Sequence, residues 1–240
     1  GLIGVGAARS GTTSLYHALN NCDEIFMSPV KELSYFSHHF DHWSKDEYKV
    51  FFSGIETQHK YAGEVTPHYL HSVESCERIS RLIPDCKIII LLRNPVNRAI
   101  SHFKKHYDHH KIQKIDTYFR KGLDMIETDK SLRFHHPVMN IRQGFYYDSI
   151  KRYMEHFPEE NIFIGTLDEM KGDPVEFGNR MSEWLNVEIV FGTDVKNKSQ
   201  KIQGIGSLSP KIKSELEELY SDDFEKTVNL LGLSKEDVVV

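Results

Sequence analysis

Residues 2–15 read LIGVGAARSGTTSL: an apolar run of strand length, a turn with glycines at 6 and 11, two threonines, and a helical spacing that continues to Asn20. A strand that leaves through such a turn into a helix aims loop amides and the helix N-terminus at one point, a geometry suited to an anion. A nucleoside-triphosphate P-loop reads G-x-x-x-x-G-K-[ST]. Gly6 and Gly11 keep that spacing, but Thr12 stands where the lysine belongs, and the cation of the turn is Arg9. The loop therefore suits a phosphate-like group held without the usual ATP or GTP arrangement. The plainer reading is a strand-to-helix turn in which glycine serves tightness alone.

The rest of the chain alternates in the same way. Strands are expected at 2–6, 25–27, 61–65, 87–93 and 161–167, and helices at 12–20, 44–54, 68–82, 145–156, 173–185 and 210–231. A further helix starts at Asn94-Pro95, with Asn as cap and Pro in the first position. KIIILLR (87–93) is the clearest strand, and its unbroken apolar run suits a strand covered on both faces. Residues 108–140 are polar, rich in histidine and less regular, and read as an insertion over the open end of the sheet. The expected fold is α/β: a P-loop-like, doubly wound parallel sheet flanked by helices, with a helical insertion near the cleft, in a single domain over 1–240. Ligands in such sheets sit at the carboxyl ends of the strands, where Arg9, the 28–32 turn, Thr66 and Arg93 all fall.

A net charge of −5 argues against a dedicated nucleic-acid binder. No apolar run approaches the ~20 residues that a membrane-crossing helix needs. Cys22, Cys76 and Cys86 are too few for a disulfide framework and read as reduced core thiols, with a Cys76–Cys86 bridge as the alternative. That usage points to the cytoplasm; the Golgi lumen is the alternative if an N-terminal anchor has been trimmed. Oligomeric state has no signature in the sequence.

Arg93 closes the KIIILLR strand. In a magnesium-dependent P-loop enzyme an aspartate there holds the metal; arginine replaces a metal-holding anion with an anion-holding cation. Ser101, two helical turns on, adds a hydroxyl. The plainer reading leaves Arg93 and Arg98 as solvated surface charges.

GAARSGTTSL (6–15) and LLRNPVNRAISHF (91–103) together resemble the 5′-phosphosulfate loop and the 3′-phosphate segment of sulfotransferases that use 3′-phosphoadenosine 5′-phosphosulfate (PAPS), above all the carbohydrate type related to heparan sulfate sulfotransferases. PVKELSYF (29–36), GEVTPHYL (63–70) and the stretch from Gly144 through FPEENIFIGTLDEM (157–170) to Trp184-Leu185 follow in the family's order. The resemblance implies direct in-line transfer of a sulfuryl group to an acceptor hydroxyl (or amine), releasing 3′,5′-adenosine bisphosphate (PAP), with no metal required. It gives Glu32 the acceptor's proton and sets Arg9 against charge on the sulfuryl group. Ser10, Gly11, Thr12, Thr13 and Ser14 would hold the 5′ end, and Arg93 and Ser101 the 3′-phosphate. Lys201 and Gly204 match the family's cofactor lid. Val65 stands where heparan-type relatives often carry lysine, a gap that His68 would fill. The acceptor expected is a carbohydrate, with a lipid, a polyketide or another small hydroxyl compound as competitor. Two rival readings are a nucleoside or nucleotide kinase with a degenerate loop, and a nucleotide-binding module without catalysis.

Fourteen histidines raise a metal reading. His102, His106 and His110 recur at helical spacing and His38, His39 and His42 cluster, but neither group has a Cys or Glu partner beside it. The stretch 98–114 reads better as a basic face at the cleft mouth. Tyr146, Tyr147, Tyr153 and Phe157 read as core.

Overall fold

The computed structural model describes residues 1–107, 114–129, 136–192 and 205–232. Strands and helices alternate along it: β1 (Leu2–Gly6), α1 (Thr12–Asn20), β2 (Ile25–Met27), α2 (Lys45–Val50), β3 (Tyr61–Val65), α3 (Val73–Leu82), β4 (Lys87–Leu92), α4 (Pro95–Lys105), α5 (Ile115–Met125), α6 (Pro137–Arg142), α7 (Tyr147–His156), β5 (Ile162–Thr166), α8 (Leu167–Gly172), α9 (Pro174–Leu185) and α10 (Pro210–Leu231). They fall into two compact units, one drawn from Gly1–Leu92 and Ser149–Lys196, the other from Arg93–Asp148 and Asn197–Val240.

The first unit holds the whole sheet, parallel throughout, in the order β2-β3-β1-β4-β5. β4 is apolar without a break because helices cover both of its faces: Ile88 to Leu92 are all at 0 % exposure. Burying each such side chain contributes roughly 1.5–3 kcal/mol. Leu2, Val65, Ile89 and Leu91 pack toward α1, α8 and α9, against Leu15, Leu19, Met170, Phe177 and Met181. On the opposite face Tyr153 of α7 donates to the Tyr69 carbonyl, and the Cys76 thiol to that of Arg152. The chain runs from β1 to the edge strand β2, returns to β3 beside β1, then crosses to β4 on β1's other side. This reversal is the switch point where such sheets bind ligands, and it faces the turns that follow β1, β2 and β3.

The second unit packs α4, α5, α6 and α10 around Val96, Phe103, Phe119, Ile141, Leu216 and Tyr220. Arg98 overturns the solvated reading: it is at 0 % exposure, donating to the backbone and side-chain oxygens of Asn140 and to Gln143 Oε1 at 3.4 Å.

One element expectation needs correction. Residues 68–82 do not form one helix. A 3-10 turn at Pro67–His71 ends at Ser72, whose extended backbone breaks the run and whose hydroxyl caps α3 through the Ser75 amide at 3.0 Å. Apolar spacing carries across a one-residue break unchanged, so periodicity alone hides it. The expected helical insertion is present: α5 lies within residues 108–140 and α6 begins there, and Ile115, Tyr118, Phe119 and Leu123 form an apolar stripe into the second unit's core. All three cysteines are buried thiols, and burial pushes Cys76 and Cys86 up to about 12. Among the described residues, no helix is long and apolar enough to cross a membrane.

Candidate active site

The cradle after β1 is shaped by what cannot fit there. A Cβ on Gly6 would lie 2.6 Å from the Pro67 carbonyl oxygen; one on Gly11 would lie 2.6 Å from Met170 Cε. Gly11 has φ 93 and caps α1 without a side chain, so no side chain covers the amides of the first turn. Arg9 also adopts a left-handed backbone, φ 73, which costs a non-glycine residue about 1 kcal/mol or more unless its surroundings impose it. The Ser10 amide closes the turn on the Ala7 carbonyl at 3.2 Å. Ser10 itself is at 0 % exposure and its Oγ has no hydrogen-bond partner. A buried hydroxyl left unsatisfied costs roughly 1–3 kcal/mol, and an anionic oxygen in the cradle would relieve it. Thr12 is buried; Thr13 and Ser14 are part-exposed.

The segment after β2 folds over the end of β3. The Ser28 amide donates to Gly63 O at 2.8 Å, Tyr16 of α1 donates to Ser28 O at 2.8 Å, and the Glu32 amide donates to Val65 O at 3.2 Å. Glu32 and Ser34 both have positive φ, 62 and 56. Lys31 Nζ donates to Glu32 Oε1 at 2.8 Å and to Thr13 Oγ1 at 3.3 Å, tying the carboxylate to the first turn of α1. The Glu32 side chain is 51 % exposed, open to an incoming molecule. Val65 points into the core against Gly4 and Leu15, so position 65 presents no side chain to the cradle. His68 Nε2 lies 2.7 Å from Ser37 Oγ, and its ring is 5.0 Å from that of His38. Burial, reinforced by His38, pushes His68 down to about 4 against the opposing pull of Glu32. It is neutral at pH 7 and a weak base.

The sequence reading missed Glu64. It is at 0 % exposure, and Thr66 Oγ1 (2.6 Å), Tyr48 Oη (3.0 Å) and Tyr69 Oη (3.3 Å) donate to its carboxylate. Burial pushes its carboxyl up to about 7 although these donors favour the ionised form. An acid in a strand sandwiched between helices, with Thr66 and Tyr69 just after it, was the available signal.

Of the expected site residues, the first unit brings Arg9, Ser10, Gly11, Thr12, Thr13, Ser14, Glu32 and His68 to the carboxyl ends of β1, β2 and β3. Arg93 and Ser101 belong to the second unit, where Tyr146 Oη donates to the Arg93 carbonyl at 3.0 Å and Asn94 caps α4 through the Asn97 amide at 3.0 Å. Lys201, Gly204 and His110 lie outside the described residues. Among the described residues no three His, Cys, Asp or Glu side chains gather as metal ligands. A cavity of about 470 Å³ lined by Asn20, Cys22, Ile25 and His59 lies by the other end of β2 and contains none of these side chains.

The sequence profile of the sulfotransferase domain matches residues 2–203. Human heparan sulfate glucosamine 3-O-sulfotransferase 6 is 28 % identical over 131 residues, 53 % of this chain and 35 % of that protein. This chain thus spans about a third of that relative's length. A crystal structure of a sulfotransferase from Alicyclobacillus acidocaldarius superposes with a TM-score of 0.81 at 24 % identity, covering 98 % of this chain and 96 % of that one. Mouse sulfotransferase SULT7A1 complexed with PAP superposes with a TM-score of 0.60 at 15 % identity, covering 93 % and 84 %.

Proposed function

The chain belongs to the sulfotransferase family, and on that premise we propose that it transfers a sulfuryl group directly from PAPS to a hydroxyl, or an amine, of a carbohydrate. The observation that carries the reading is the pairing of an anion cradle, with its buried unpartnered Ser10 hydroxyl, and an accessible carboxylate joined to it through Lys31. The carbohydrate rests on the relative that acts on heparan sulfate glucosamine.

The 5′ end of the donor meets the amides of Gly11 to Ser14, the hydroxyls of Ser10, Thr12 and Thr13, and the Arg9 guanidinium. These groups are fixed before the donor arrives, so they stabilise charge on the leaving phosphate without reorganising. Arg93 and Ser101 are assigned to the 3′-phosphate, and Lys201 and Gly204, outside the described residues, to the donor as well. Glu32 accepts the acceptor's proton as its oxygen attacks, because an unassisted hydroxyl is a poor nucleophile at neutral pH. Lys31 gives that carboxylate a fixed partner. A sulfuryl group carries less charge than a terminal phosphoryl, and fixed cations and amides serve it in place of magnesium. His68, held neutral and 2.7 Å from Ser37 Oγ, feels the charge of Glu32 but does not supply the cation missing at position 65.

Calorimetry tests the donor site. PAP is expected to bind without magnesium and more tightly than ATP or AMP; a preference for magnesium-ATP overturns the reading. Transfer from labelled PAPS to desulfated heparan sulfate, with small alcohols alongside, tests the acceptor. Label appearing only on the alcohols removes the carbohydrate.

A further inference from the structure

Glu32 sits in a turn that does not hold its own shape. Residues 32 and 34 both occupy the left-handed region without being glycine, a backbone that other residues rarely adopt. Such a turn persists only where its surroundings impose it. The Glu32 amide is held by the Val65 carbonyl at 3.2 Å, and the Ser34 and Phe36 amides tie to one side chain. The Ser34 amide donates to Thr66 Oγ1 at 3.4 Å, and that hydroxyl donates to Glu64 Oε2 at 2.6 Å. The Phe36 amide donates to Tyr69 Oη at 3.2 Å, and that hydroxyl donates to Glu64 Oε1 at 3.3 Å. Tyr48, from α2, supplies a further donor. Its ring stacks on Tyr35 at 4.2 Å between centroids, so α2 is bound to the same turn.

We propose that Glu64 is a positioning residue: its buried carboxylate gathers the amides of residues 34 and 36, each through one hydroxyl, and so fixes the turn that presents Glu32 to the acceptor. The inference rests on Glu32 as the base and adds what holds it. The physical case is one of satisfaction. A carboxylate at zero exposure is costly unless its oxygens are filled, and here the filling groups include the two hydroxyls that hold the Ser34 and Phe36 amides. Disturbing Glu64 therefore releases the turn, while the cradle after β1 keeps its own hydrogen bonds.

Hydrogen exchange on the full chain, paired with kinetics, tests this. In Glu64→Gln the amides of residues 32–36 are expected to exchange at least about tenfold faster, with those of β1 and β4 unchanged. PAP affinity should stay within about twofold by calorimetry. Transfer from labelled PAPS to desulfated heparan sulfate should lose about ten- to a hundredfold in kcat, with KM for PAPS unchanged. Combined with Glu32→Gln, Glu64→Gln should add almost nothing, since it acts through that residue. If Glu64→Gln does not fold, Thr66→Val, which removes the hydroxyl between Ser34 and Glu64, should show the same pattern in milder form. Unchanged exchange at 32–36, or a loss that adds in full to that of Glu32→Gln, overturns the proposal. Loosened exchange together with wild-type transfer by Glu32→Gln leaves Glu64 as the holder of the turn and removes Glu32 as the base.

Discussion

Glu64 in the first unit and Arg98 in the second are both ionisable and both at zero exposure, yet their partners differ, and Arg98 Nε has none. Hydroxyls surround the carboxylate, and they turn to donate or accept as its protonation requires. Carbonyl oxygens of Asn140 and Gln143 surround the guanidinium; they can only accept, and an arginine only donates. One centre can shed its charge by taking a proton. The other is permanently wired, and it joins α4 to α6 where no reactive group is at stake. A buried charge that organises a working turn and a buried charge that organises a core thus look alike in sequence and differ in their partners.

The sharpest way to break this contrast is to remove the guanidinium. Arg98→Met leaves several buried acceptors without donors, and about 3 kcal/mol or more of stability should disappear in urea unfolding. A loss below about 1 kcal/mol would mean that the network is not structural. The pH dependence of stability comes next. The Glu64 pKa is about 7 folded against 4.5 in the open chain. Its contribution is therefore fully present below about pH 4.5 and lost as pH rises through 7, on the order of 3 kcal/mol in all. His68, lowered from 6.5 to about 4, works in the opposite sense, losing stability as pH falls through that range. The difference between wild type and Glu64→Gln isolates the carboxylate, because Tyr48, Tyr69 and Cys86 beside it are all pushed upward and keep their protons. A flat difference curve from pH 4.5 to 8 would remove the contrast with Arg98.

Glu32→Gln should reduce transfer by about 10²-fold or more while PAP affinity stays within about twofold; wild-type turnover would give the proton to another group. Lys31→Met should be the mildest change. Its part-exposed ion pair contributes at most about 1 kcal/mol to stability, and its main effect should be a several-fold loss of PAPS affinity or of kcat. No change in either would reduce Lys31 to a surface charge.

Much of the fold could be read from residue patterns. The 2–6 and 61–65 strands, the 12–20 and 210–231 helices and the Asn94-Pro95 start all appear where turn chemistry and apolar spacing put them. The cradle was legible because glycine spacing and the absent lysine are local facts. Arg98 was not, since an arginine directly after a Pro-Val-Asn step looks like any helical surface charge. Neither was the break at Ser72, which leaves the hydrophobic pattern intact.

The order of residues alone settled that a parallel α/β sheet would form and that a lysine-free anion loop would open it, because strand alternation, helix caps and glycine positions act over a few residues. Tertiary packing decided which charges are buried, that Lys31 reaches from one turn to Thr13 of another, and that Glu64 gathers the Glu32 turn. Those outcomes depend on side chains meeting across strands and helices far apart in the chain, and local spacing holds no record of such meetings.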